Sequence, residues 1–151
     1  MPSPSVGATN PEERSAGALV FRTSPSGRVY LLLKYPAGHW DFPKGNIERG
    51  ETPLETMRRE VSEETGVTDV RPVAGFEHVI EYFYNRDGRR IRKQVVFFLA
   101  ESQQEKVTLS FEHRDYAWLS FDDAFRLVTY PNSKRLLRAA EEVLGAGATI
   151  G

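Results

Sequence analysis

Gly45 to Val67 reads GNIERGETPLETMRREVSEETGV, and its centre, Arg59-Glu60-Val61-Ser62-Glu63-Glu64, carries more charge than packing calls for. At about 100° per residue, a helix through it places Glu60, Glu63 and Glu64 on one arc and Leu54, Met57 and Val61 on the neighbouring arc. Both ends of that helix are marked. Thr52 suits the N-cap, Pro53 the first helical position, where its missing N–H costs nothing, and Glu55 the reciprocal place in a capping box. Gly66 suits the left-handed residue that closes a helix after Thr65, and the β-branched Val67, Thr68 and Val70 predict a strand directly beyond.

Like charges three and four residues apart oppose one another by about 0.2–0.5 kcal/mol per pair, and acids near a helix C-terminus also oppose its dipole. Arg59 is the basic neighbour in this turn, so a hard divalent cation with oxygen ligands is the natural further counter-charge. A solvated acidic face is the plainer alternative.

The spacing weighs against that alternative. Gly45, Glu51, Arg59, Glu60, Val61, Glu63, Glu64, Gly66 and Val67 fill every position of G-x5-E-x7-R-E-U-x-E-E-x-G-U, with U aliphatic. On these residues the chain resembles the Nudix hydrolases. The resemblance implies an α/β fold, an α/β/α sandwich around a mixed β-sheet, and hydrolysis of a nucleoside diphosphate linked to a further group.

The rest of the chain is consistent with one such domain. Its 151 residues make one core, and a net charge of −1 gives no global basicity to draw nucleic acid. The absence of cysteine removes disulfides and thiolate metal sites. No apolar run approaches membrane-spanning length and the first residues lack a signal-peptide core, so a cytoplasmic protein without a membrane partner is expected.

Residues 1–15, rich in Pro, Ser and charge, read as a loose leader, 16–145 as the domain and 146–151 as a frayed tail. Gly17–Phe21 and Val29–Leu33 predict a hairpin around the turn at 23–27. Residues 35–47 read as a structured loop, in which Lys44 can hold a phosphate oxygen beside the glutamates. His39 is either a phosphate contact or an exposed loop residue, and Trp40 is a core candidate. From Val67 to Asn85 the chain alternates, with Phe76, His78, Ile80, Tyr82 and Tyr84 on one face. Residues 85–88 turn it, and Ile91–Ala100 returns as a central strand. The hairpin's Arg86, Arg89, Arg90, Arg92 and Lys93 are rim charge or face a polyanion. Short strands are expected at 107–111 and 116–119. Ser120, with Asp123 completing a capping box, should start one helix running through Val128. Asn132 should cap a last helix that ends at Gly145.

Beyond the motif, the chain is similar to the asymmetrically cleaving diadenosine tetraphosphate hydrolases over about residues 16–144. The matching pieces are His39-Trp40 with Phe42-Pro43-Lys44-Gly45, Gly75-Phe76 leading to Tyr82, Lys93, Phe111-Glu112-His113 before Trp118-Leu119, and Tyr130. The resemblance implies that Glu60, Glu64 and the Gly45 carbonyl hold Mg2+, with Mn2+ as the alternative ion, and that Glu63 completes the cluster. Glu112 is a further metal ligand in some members and here is either that or a turn residue. Arg59, helped by Glu51, would orient a glutamate. The general base is Glu60 first, with Glu112 or Glu63 as alternatives. Tyr82 and Tyr130 would clamp an adenine, while Lys44, His39 and Lys93 meet phosphates. The expected partner is a dinucleoside polyphosphate, bound by a monomer or small homo-oligomer. Alternatives are 5′-triphosphate RNA, a diphosphoinositol phosphate, a nucleoside triphosphate, or a catalytically silent nucleotide-sensing domain.

Overall fold

The computed structural model describes residues 11–145. Along the chain run β1 (Glu13–Ser24), β2 (Gly27–Lys34), β3 (Trp40–Asp41), β4 (Lys44–Asn46), α1 (Pro53–Thr65), β5 (Arg71–Arg86), β6 (Arg89–Glu101), β7 (Asp115–Leu119), α2 (Phe121–Leu127) and α3 (Pro131–Gly145). They build one mixed sheet in the order β3-β2-β1-β6-β5, with β4 on β1 and β7 on β2. The β1–β6 pair is parallel, Gly17 lying opposite Phe97, and the other pairs are antiparallel.

Burial on both faces of β6 explains its unbroken apolar run. Val95, Phe97 and Leu99 join Leu19, Leu32 and Leu137 in the core beneath α2 and α3, and Val96, Phe98 and Ala100 join Met57 and Val61 of α1 on the opposite face. The result is the expected α/β/α sandwich. Met57 and Val61 are fully buried, worth about 1.5–3 kcal/mol each. That outweighs the few tenths per pair by which the glutamates repel one another, so the apolar stripe holds α1 in place.

The strand bearing the site approaches β1 unusually closely. Gly17 pairs with Lys44, and Ala18 N–H donates to the Pro43 carbonyl at 3.1 Å. A Cβ on Gly17 would stand 2.3 Å from that carbonyl oxygen, so only glycine lets β4 lie here.

Several expectations need correction. β1 starts at Glu13, and Ser15 is buried with its hydroxyl on Asn46 Oδ1 at 3.0 Å, so these residues belong to the sheet; residues 1–10 and 146–151 lie outside the described residues. The 35–47 loop contains two short strands, β3 and β4. No strand forms at 67–70. There Val67 and Val70 fill the core beneath α1, with Val67 N–H bonded to Thr65 Oγ1 and the Val70 carbonyl to Arg58.

Nor is there a strand at 107–111, because Thr108 and Ser110 N–H donate to the carbonyls of Thr65 (2.8 Å) and Glu64 (3.1 Å). The segment satisfies the open end of α1 instead of a ladder. Asn132 lies inside α3, which begins on Pro131, and its Oδ1 accepts from Arg135. Ser120 caps α2 as expected, but the Asp123 carboxylate pairs with Arg126 rather than reaching back. Among the described residues no helix is long and apolar enough to cross a membrane.

Candidate active site

α1 carries its caps as its sequence dictates. Thr52 Oγ1 accepts from Glu55 N–H, the Glu55 carboxylate accepts from Thr52 N–H, Pro53 opens the helix, and Gly66 closes it at φ 73°. The helix face is fastened to the preceding loop by Arg59. Its guanidinium takes Glu51 bidentately at 2.6 and 3.0 Å, Glu60 at 2.6 Å, Glu63 at 3.2 Å and the Asn46 carbonyl at 3.0 Å. Chiefly through that bond, Arg59 holds the Glu51 carboxyl down to about 2, while Glu51 also accepts from Glu48 N–H and Thr56 Oγ1. Glu51 and Arg59 are thus tied to one another and to the scaffold, leaving the inner glutamates as the reactive-looking pair.

Those two converge on β4. A Cβ on Gly45 would stand 2.0–2.4 Å from the Glu60 carboxylate, so glycine leaves the space that carboxylate occupies. Glu64 is buried, and its Oε1 has no hydrogen-bond partner. Burial first, then the neighbouring Glu60, push its carboxyl up to about 9. Facing it at 3.5 Å is His113 Nε2, also buried without a bond, while His113 Nδ1 lies 3.1 Å from Ser110 Oγ. Burial lowers the His113 pKa and favours the neutral ring.

Two crowded carboxylates, one with an orphaned buried oxygen, and a backbone packed against the other suit a hard cation. Among the described residues, however, no three His, Cys, Asp or Glu side chains are grouped closely enough to hold an ion as they stand. Glu63 is turned outward to Arg59 and is largely exposed. Glu112, exposed, lines the same pocket as Lys44, Gly45, Glu60, Glu63 and Glu64, about 360 Å³ in volume. A cation would therefore rest first on Glu60, Glu64 and the Gly45 carbonyl.

A second cavity of about 630 Å³ is more apolar and includes His39, Asp41, Tyr82, Tyr130 and again Lys44 in its lining. The fold thus brings Tyr82 on β5 and Tyr130 before α3 to one space, with Lys44 common to both cavities. Lys93 lies directly opposite Tyr82 in the β5–β6 ladder, and burial followed by the charge of Lys44 lowers its pKa.

Among the other hairpin cations, Arg89 alternates onto the same sheet face as Lys93. Arg90 and Arg92 alternate onto the opposite sheet face, where Arg90 covers the Phe83 ring at 4.1 Å and Arg92 bonds Glu81 at 2.9 Å. Arg86 pairs with Glu13. The expectation of one basic strand facing a polyanion therefore narrows to the sheet face that carries Arg89 and Lys93.

Residues not singled out in the sequence connect the two cavities. Tyr35 stacks on His39 at 4.7 Å and meets His113 edge-on at 4.7 Å; His39 lies 5.4 Å from Tyr130, and Lys44 Nζ sits 5.2 Å over the Tyr35 ring. The row runs from Tyr130 to the glutamates. Asp41 is also buried, its Oδ1 accepting from Phe42 N–H at 2.8 Å and Ser133 Oγ at 3.0 Å, and burial raises its pKa. A charge set between Trp40 and Phe42 was the available signal for Asp41; Tyr35 had none, since its link to the glutamates runs through His113, far along the chain.

A family model of the NUDIX domain matches residues 12–140. The asymmetrical bis(5′-nucleosyl)-tetraphosphatase of Rattus norvegicus is 33% identical over 143 residues, covering 87% of this chain and 95% of the relative. An RNA pyrophosphohydrolase of Pseudoalteromonas translucida is 34% identical over 110 residues, covering 63% and 64%. Among solved structures, a binary complex of a C. elegans Ap4A hydrolase superposes with a TM-score of 0.79 at 28% identity, covering 89% of this chain and 98% of that one.

Proposed function

Because the chain belongs to the Nudix hydrolase family, we propose that it hydrolyses a phosphoanhydride of a dinucleoside polyphosphate, with diadenosine tetraphosphate cut to ATP and AMP. The observation that carries this reading is Lys44, shared by an acidic pocket and an aromatic cavity. A nucleobase between Tyr82 and Tyr130 leads its phosphates past Lys44, His39 and Lys93 toward Glu60 and Glu64. The names of the rat and nematode relatives point the same way.

Glu60, Glu64 and the Gly45 carbonyl would hold Mg2+, or Mn2+ in its place, and such an ion neutralises phosphate charge and activates a water. Arg59 orients Glu60 and stays away from substrate. Glu60 is the first choice for the group that takes the water's proton, Glu63 and Glu112 standing as the alternatives. Lys44 and Lys93 add fixed positive charge where the phosphates crowd together.

The clamp and the glutamates act as a ruler, since Tyr82 stands on β5, Tyr130 directly before α3 and the glutamates on α1. Diadenosine tetraphosphate should give ATP and AMP, and hydrolysis in oxygen-18 water with product masses resolved would show both the cut and the labelled phosphate. Two ADP as main product, or faster pyrophosphate release from 5′-triphosphate RNA at equal concentration, would overturn the reading.

Truncating the clamp tests the base separately. Tyr82→Ala and Tyr130→Ala should each lower kcat/KM for the dinucleotide by about 5-fold or more, since stacking on one ring is worth ~1–3 kcal/mol. Hydrolysis of inorganic polyphosphate should be spared, because stacking acts on the base alone. Tyr130 is 46% exposed, so its truncation should leave the melting temperature nearly unchanged; Tyr82 is half-buried against the core, and its melting curve shows how far packing adds to its effect.

A further inference from the structure

Phe111 is 96% exposed, whereas the next most exposed large apolar side chain among the described residues, Val79, is 52% exposed. A ring left in water on a loose segment would mean little. Here the turn is anchored on every side: Ser110 N–H bonds the Glu64 carbonyl at 3.1 Å, His113 N–H the Ser110 carbonyl at 3.2 Å, and Arg114 N–H the Lys34 carbonyl at 2.9 Å. The backbone is therefore held while the ring projects outward.

Its chain neighbours put the ring at the edge of the acidic pocket. Ser110 and Glu112, its two chain neighbours, both line the acidic pocket, and neither lines the aromatic cavity. A dinucleoside polyphosphate with one base between Tyr82 and Tyr130 carries its phosphates past Lys44 and over Glu60 and Glu64. A second nucleoside leaving the acidic pocket past Glu112 would meet the Phe111 ring.

We propose that Phe111 is the stacking platform for that second nucleobase; this rests on the dinucleoside reading above. Phenylalanine offers a flat apolar surface and no hydrogen-bonding group, so it takes a base without reading which one it is. The anchored turn reduces the ordering that binding would otherwise require.

The test compares diadenosine tetraphosphate with adenosine 5′-tetraphosphate, which keeps the phosphate chain and lacks the second nucleoside. Phe111→Ala should lower the dinucleoside-to-mononucleoside ratio of kcat/KM by about 5-fold or more. Phe111→Trp should preserve that ratio, and its added emission should be quenched by a non-hydrolysable diadenosine tetraphosphate but not by AMP, with the parent's Trp40 and Trp118 as baseline. An unchanged ratio in Phe111→Ala overturns the proposal, and so does an equal fall for both substrates, which would mark the ring as support for the Glu112 turn. If the parent enzyme cleaves no dinucleoside polyphosphate, the failure lies in the functional reading and appears before any substitution is made.

Discussion

Glu60→Gln and Glu64→Gln should each lose at least about a hundredfold in turnover, ~2.7 kcal/mol of barrier, with the fold intact. Each removes a charge from the pair that would hold the cation, while Met57 and Val61 continue to fix α1. The metal-free melting curves should separate the two variants. Glu64 has its carboxyl raised from 4.5 to about 9, so the folded state binds a proton that the unfolded chain has released across this range. Its contribution to stability is complete below about 4.5 and is lost as pH rises toward about 9. Parent protein in chelator should therefore melt at progressively lower temperature between pH 5 and 9, and Glu64→Gln should flatten that slope. Either variant retaining turnover within about threefold of the parent, less than 1 kcal/mol of barrier, would remove that residue from the metal assignment.

Gly45→Ala should cost nearly as much turnover as Glu60→Gln, although it changes no charge. The added methyl would stand 2.0 Å from Glu60 Cδ, a distance no contact tolerates. Because β4 is held against β1 and the Glu60 carboxylate is the far end of a side chain, the carboxylate moves and the strand stays. The loss in stability should be about 1–3 kcal/mol, the usual cost of overpacking. The double variant Gly45→Ala/Glu60→Gln supplies the check: its turnover should be no worse than that of Glu60→Gln alone, since both act through one carboxylate. Additive losses would show that Gly45 acts through the backbone rather than through Glu60.

What could be read from the chain divides by the range of the interactions involved. α1 was legible from Thr52 to Gly66 because caps, proline and the acidic and apolar arcs are decided within a few residues of themselves. The strand at 67–70 misled because β-branched residues suit a buried corner as well as a ladder, and burial of Val67 and Val70 decided the matter. Val107–Phe111 misled similarly, its N–H groups being claimed by the carbonyls at the end of a helix more than forty residues earlier. Lys44 was named because it abuts the glutamate motif, and Tyr82 and Tyr130 from a family likeness. Their meeting depends on β4 lying against β1 and on the β5–β6 register, which no local pattern carries. Tyr35 is the clearest omission: His39 and Lys44 lie in its own 35–47 stretch, but His113, which joins it to Glu64, comes from a turn far along the chain.

The two cavities also differ in what would have to be rebuilt to change them. The acidic pocket draws Glu60, Glu63 and Glu64 from α1, and one guanidinium ties Glu51, Glu60, Glu63 and the Asn46 carbonyl together, so a change at any of these disturbs several bonds at once. The aromatic cavity borrows its walls from β5 and the start of α3, where Tyr130 projects into solvent and several neighbours are only partly packed. Selection for a new nucleobase at the clamp should therefore collect replacements around positions 80–84 and 130–135 and leave α1 alone. The sandwich separates reagent from recognition, and a library confined to the second region should yield altered preference without loss of the cutting chemistry.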